Sequence, residues 1–225
     1  MSKIILIRHA QASLGKSNYD ELSSLGFKQA ALLGLYLKEY DLEPASIITG
    51  NLVRHKQTAN EITKVFPSSV NLVQDEDWNE FDFKKLIQLY LSKHPKDIPV
   101  PGDIRAFFSI LKKSMLAWSK DELDDKNETF ETWNDFSERI SRAISNISII
   151  SDTKPTFIVS SGGAIAMSLM KILEINSKSM IDINFQIRNT SFTELLHKPN
   201  KTNLVAFNQI NHLIESRDES MITYA

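Results

Sequence analysis

Lys3-Ile4-Ile5-Leu6-Ile7-Arg8-His9 is the stretch on which the fold turns. Four successive apolar residues, three of them β-branched, cannot alternate between a wet and a dry face. The run therefore predicts a short strand buried on both sides, ending at a charged pair. A polar loop follows from Gln11 to about Glu21, and Ser23 or Ser24 can cap a helix reaching about residue 38. Residues 46–49 read as a second buried strand. Gly50-Asn51 opens a helix through about residue 65, Pro67 stops it, and residues 70–73 read as a third strand. Strand and helix in alternation predict a three-layer α/β fold, a mostly parallel β-sheet flanked by helices.

From about residue 81 to 150 the rhythm changes to a helical insertion. It is broken by a connector holding Pro95, Pro99 and Pro101 and by an acidic stretch at 121–128. The acidic residues Asp121, Glu122, Asp124 and Asp125 read as a solvated turn. Phe107, Phe108, Leu111, Leu116, Trp118, Trp133 and Phe136 are most simply packing residues. Strand signals return at 156–160, followed by Ser161-Gly162-Gly163 and an apolar helix over 164–173. Two late strands, near 192–196 and 204–207, can complete the sheet, and the polar tail after Ile214 is expected to be loosely held. The reading is one domain over residues 1–225 with the insertion at about 81–150.

The chain has 225 residues, 42% of them hydrophobic, enough for a sizeable core. A net charge of −2 argues against a nucleic-acid binder working through a broad basic surface, yet leaves room for a small anion held by two or three local cations. With no cysteine there is no disulfide, thiolate metal site or cysteine nucleophile. No apolar run approaches the length of a membrane span, and the expectation is a cytoplasmic protein without a membrane partner.

Four modest signals fall at strand ends, where open parallel sheets bind ligands. Arg8 and His9 close the first strand. Arg54 opens a helix, where the macrodipole disfavours a cation unless an anion lies between them; a plain ion pair with a carboxylate fits equally well. Glu80 sits among aromatics that can raise its pKa, and solvated glutamates are as common. Ser161-Gly162-Gly163 offers backbone N–H groups to an anion, or is simply a tight turn.

Together these residues carry a resemblance. Leu6-Ile7-Arg8-His9-Ala10-Gln11-Ala12-Ser13 resembles the Arg-His-Gly motif of the histidine phosphatase superfamily, the phosphoglycerate-mutase-like proteins, with Ala10 in the glycine place. Tyr19 to Ala30, Arg54 with Gln57-Thr58-Ala59, Asn189-Thr190-Ser191 and residues 208–213 resemble its later segments. The resemblance implies His9 as phosphoryl-accepting nucleophile, Glu80 as general acid, and Arg8, Arg54, Ser161 and Gly162 as phosphate contacts. Gln11 and Asn18, in the loop after His9, are candidates on the substrate side. It implies no metal or organic cofactor, and a small phosphorylated molecule or a phosphoprotein as ligand. A homodimer through the insertion helices is compatible with it.

The sequence departs from the family at Ser161, where most members carry a second histidine that donates to the phosphoryl group. Phe83 stands where some relatives place another. Of the remaining histidines, His55 is expected to point elsewhere around its helix. His94 lies in the insertion, within reach of folding over the site, and His197 and His212 belong to the C-terminal segments. The readings left open are a phosphatase acting through phospho-His9, a relative that binds phosphorylated ligands without turnover, and a phosphoglycerate mutase.

Overall fold

The computed structural model describes residues 2–13, 20–66, 70–99, 102–123, 130–147, 153–198 and 201–224. Its strands are β1 (Ser2–Arg8), β2 (Ser46–Thr49), β3 (Asn71–Gln74), β4 (Thr156–Ser160), β5 (Phe192–Lys198) and β6 (Lys201–Gln209). They form one sheet in the order β3-β2-β4-β1-β5-β6. The first four run parallel; β5 pairs antiparallel with β1, and β6 antiparallel with β5. The helices are α1 (Ser24–Glu39), α2 (Val53–Thr63), α3 (Phe83–Lys93), α4 (Ile104–Trp118), α5 (Trp133–Ser145), α6 (Gly162–Leu173), α7 (Ser177–Asn184) and α8 (Asn211–Glu215). None of the described helices is long and apolar enough to cross a membrane.

The apolar run of β1 is buried on both faces because the pleat sends neighbours to opposite sides. Ile5 and Ile7 join Ile47, Phe157 and Val159 against Leu33 and Leu37 of α1 and Ile62 of α2. Ile4 and Leu6 join Ile48 and Ile158 against a larger core that takes in α4, α5 and α6. Each fully buried side chain of this kind contributes about 1.5–3 kcal/mol. This is the expected three-layer α/β architecture. Its consequence for the site is directional: the carboxyl ends of four parallel strands meet along one edge of the sheet.

Three local expectations change. The helix after β4 begins at Gly162 rather than 164, since Ser161 is still extended. α7 falls where no helix was expected. The C-terminal tail, expected to be loose, is fastened: Met221 is buried, Gln29 Nε2 donates to its carbonyl at 2.8 Å, and Thr223 Oγ1 donates to Asn189 Oδ1 at 2.8 Å. A polar composition did not reveal these side-chain partners, because they lie in α1 and the 189–191 turn.

Candidate active site

Arg8 and His9 leave β1 clamped between two neighbours. His9 N–H donates to Ser160 O at 2.8 Å, and Arg8 N–H to Ser191 O at 3.0 Å. Asn189 Nδ2 donates to His9 O at 3.1 Å, and Thr190 N–H to Arg8 O at 3.1 Å. Thr190 adopts φ 55°, a left-handed conformation that costs a β-branched residue roughly 1–3 kcal/mol. Its Oγ1 lies 2.9 Å from the buried His212 Nε2, which helps hold the turn in place.

The His9 ring has one available tautomer. Nδ1 is 2.7 Å from the Ala10 carbonyl, which only accepts, so the proton sits on Nδ1. Nε2 then carries a lone pair, and Arg54 Nε–H donates to it at 3.2 Å. Burial, followed by the charges of Arg54 and Arg8, holds the His9 pKa well below its ordinary value. The imidazole is therefore neutral at pH 7.

Arg54 is 6% exposed. Asp20 binds it at 2.7 Å through Nη1 and, through its other oxygen, accepts the Val53 N–H at the start of α2 at 2.8 Å. The two readings of Arg54 thus merge. A carboxylate does pair with it, and that carboxylate is also the anion at the helix N-terminus.

Glu80 lies opposite. Gly163 N–H, in the first turn of α6, donates to Oε2 at 2.8 Å, and Phe81 N–H to Oε1 at 3.2 Å. Burial raises the Glu80 pKa and outweighs these donors and the nearby Arg54 and Arg8 charges. Gly163 is required by this approach: a Cβ there would stand 2.2 Å from Glu80 Oε1. The segment before Glu80 is braced by Arg139 of α5, which donates to the carbonyls of Asp77 and Asn79 at 2.8 and 3.0 Å and pairs with Glu131.

Arg8, His9, Arg54, Glu80, Ser161 and Gly162 line one cavity of about 740 Å³. Of the remaining candidates, Gln11 does not line it; its Oε1 accepts from Ser23 Oγ at 2.7 Å at the start of α1. Asn18 lies outside the described residues. His94 is exposed and stacked on Tyr90, with ring centroids 4.4 Å apart, and takes no part in the cavity wall. Phe107, Phe108 and Leu111, read as packing residues, form with Phe83 and Phe185 the cavity's apolar wall.

The model of the histidine phosphatase superfamily (branch 1) matches residues 4–100 and 104–210. The chain belongs to the histidine phosphatase superfamily. No curated protein sequence matches it. Among solved structures, it is similar to a phosphoglycerate mutase from Bacillus anthracis, at 17% identity and TM-score 0.69, covering 96% of this chain and 97% of that one. It is similar also to a phosphoserine phosphatase from Entamoeba histolytica, solved with phosphoserine, at 23% identity and TM-score 0.64, covering 95% and 100%. A mycobacterial glucosyl-3-phosphoglycerate phosphatase matches at 19% identity and TM-score 0.62, covering 92% and 99%. At these identities the likeness speaks for the fold.

For a histidine phosphatase superfamily member, one feature of the site overturns the sequence reading. His55 does not point away. It is fully buried, its Nε2 lies 2.7 Å from Ser161 Oγ, and its ring centroid is 5.6 Å from that of His9. Asp20 was likewise missed as a partner of Arg54, and no local signal marked it. For His55 a faint one existed: the glycine at position 50 leaves room for its ring.

Proposed function

We propose that this chain is a metal-independent phosphomonoesterase working through a phosphohistidine on His9. The observation that carries the reading is the unprotonated His9 Nε2, held by Arg54 on the wall of a cavity that also contains Arg8 and Glu80. In the first step the hydrogen bond of Arg54 Nε–H passes from His9 Nε2 to a phosphoryl oxygen, the freed lone pair of Nε2 attacks phosphorus, and the ester P–O bond breaks. Protonated Glu80 gives its proton to the leaving oxygen. Water then attacks the phosphohistidine, Glu80 takes back a proton, and the N–P bond breaks to release inorganic phosphate. Arg8 and Arg54 offset charge on the transferring group, and arginine suits this role through paired N–H donors.

The apolar wall favours a hydrolase over a mutase. Among the described residues, the arginines lining the cavity are Arg8 and Arg54, close to His9, and the rest of the lining includes aromatic rings, Ile104 and Asp103. A leaving group with an aromatic or alkyl body fits that wall. The second anionic group of a phosphoglycerate would face rings and a carboxylate, which disfavours it.

The test is hydrolysis of p-nitrophenyl phosphate in EDTA by wild type and His9→Ala, with an alkaline denaturing quench to trap base-stable, acid-labile phosphoprotein. Turnover and adduct in wild type, both absent in the variant, support the reading. Phosphate-dependent thermal stabilisation with neither turnover nor adduct would instead favour a ligand-binding relative. Turnover retained in His9→Ala sinks the proposal.

A further inference from the structure

Behind the cavity wall sits a histidine that the mechanism above leaves unused. His55 is the second residue of α2 after Val53, adjacent to Arg54, and lies fully buried. It does not line the cavity; Ser161 does. Between them runs a contact of 2.7 Å from His55 Nε2 to Ser161 Oγ.

The direction of that hydrogen bond follows from the other ring nitrogen. His55 Nδ1 is buried with no hydrogen-bond partner among the described residues. It faces Gly50, where a Cβ would come within 2.4 Å of it. A neutral imidazole carries one proton, and a buried N–H without an acceptor costs more than a buried lone pair without a donor. The proton therefore belongs on Nε2, which donates to Ser161 Oγ. A serine hydroxyl that receives a hydrogen bond keeps its own proton to give. With the imidazole behind it, that proton is turned toward the cavity.

We propose that His55 and Ser161 act as a pair, in which His55 holds the Ser161 hydroxyl so that it donates its proton to a phosphoryl oxygen in the transition state. The pair rests on the reading of His9 as phosphoryl acceptor. Ser161 touches the reacting group, and His55 is a positioning residue acting through it. Gly50 serves the same end by leaving space for the ring. The site thus keeps an imidazole close to the second donor position, delivered from a helix rather than from the end of β4.

The experiment compares wild type, Ser161→Ala, His55→Leu, His55→Gln and the double variant His55→Leu/Ser161→Ala on p-nitrophenyl phosphate. One preorganised donor is worth about 10²–10³ in kcat, so Ser161→Ala and His55→Leu each lose about 10²-fold in kcat with KM nearly unchanged. The double variant loses no more than Ser161→Ala, because both changes remove the same hydrogen bond. His55→Gln places an amide N–H near the position of Nε2 and recovers kcat to within about tenfold of wild type. Losses that multiply in the double variant, or a His55→Gln as slow as His55→Leu, overturn the pair.

Binding separates this proposal from the phosphatase reading. Orthovanadate, which adopts the five-coordinate geometry of phosphoryl transfer, and orthophosphate are titrated by thermal shift against the same variants. If wild type shows no turnover, the phosphatase reading fails, and the pair is still read from vanadate. Vanadate affinity lost in His55→Leu and Ser161→Ala and kept in His55→Gln, with phosphate affinity little changed, supports it. Equal vanadate affinity in all of them overturns it.

Discussion

Asp20 and Arg54 form a two-point clasp. One carboxylate oxygen binds Arg54 Nη1 at 2.7 Å, and the other accepts the Val53 N–H at the start of α2 at 2.8 Å. The same side chain therefore fixes the helix end and the arginine that donates to His9. Asp20→Ala is expected to cost about 1–2 kcal/mol of stability, the range of a lost helix cap, and to lower kcat as Arg54 loses its anchor. Asp20→Asn retains an oxygen for Val53 N–H and should recover most of the stability and less of the activity. Thermal unfolding and phosphatase assays on the two variants check both halves. Equal behaviour of the two would show that the carboxylate charge does nothing for Arg54.

Stability should fall in mild acid. His9, His55 and His212 are buried with their pKa values held down by burial, His212 to about 3. Below about pH 6.5 the unfolded chain takes up protons that the folded rings refuse, so stability is lost as pH falls. Three such groups give a slope approaching about 4 kcal/mol per pH unit. Glu80, whose pKa is raised, acts in the opposite sense as a single group between the ordinary carboxylate range and its folded value. Denaturant titrations from pH 8 to 5 read the slope, and His212→Gln should remove roughly a third of it.

Activity should decline on the alkaline side for a different reason. The first step needs Glu80 protonated, and its raised pKa carries that form to higher pH than an ordinary carboxyl. The kcat profile should bend downward above the usual carboxylate range, while His9 stays neutral on the acid side. Glu80→Gln is expected to lose about 10²–10⁴ in kcat and to flatten that limb. An unchanged profile in the variant would assign the proton donor elsewhere.

The aromatic wall should set substrate preference. An aryl or alkyl group that buries about 100 Å² against Phe83, Phe107 and Phe108 gains about 2–3 kcal/mol, or about 10²-fold in kcat/KM over a small polar phosphate. Phe107→Ala should erase much of that preference for 1-naphthyl phosphate over glycerol phosphate. A loss shared equally by both substrates would mean that Phe107 only packs.

Ser161→His illustrates why position alone misleads. Ser161 is 1% exposed, and His55 already occupies the space behind it. The single substitution overpacks the site, at a cost of about 1–3 kcal/mol, and should not raise activity. Adding His55→Ala relieves the clash and should restore both stability and kcat relative to the single variant.

Much of the site was legible in the sequence because its signals are local. Arg8-His9 follows an apolar run that only a buried strand explains, and Arg54 and Ser161-Gly162-Gly163 sit at the next strand-to-helix junctions. Glu80 was marked by its aromatic neighbours. Two signals were read incompletely for lack of distant partners. Phe107 and Phe108 do pack against the core, and they also face the cavity; hydrophobicity does not tell a core face from a cavity wall. The tail looked loose because its anchors, Gln29 and Asn189, are about 190 and 30 residues away along the chain.

The sequence by itself determined the parallel α/β core, the strand ends and the family, since periodicity and short motifs are properties of neighbouring residues. What only the tertiary structure decided is which strand ends touch. β4 threads between β1 and β2, so Ser161 lies beside both His9 and the first turn of α2, more than a hundred residues earlier in the chain. On an isolated helix, residues 54 and 55 point about 100° apart, and one faces the site at the expense of the other. With β4 inserted, Arg54 reaches His9 inside the pocket and His55 reaches Ser161 from behind its wall, an arrangement fixed by long-range strand order rather than by local pattern.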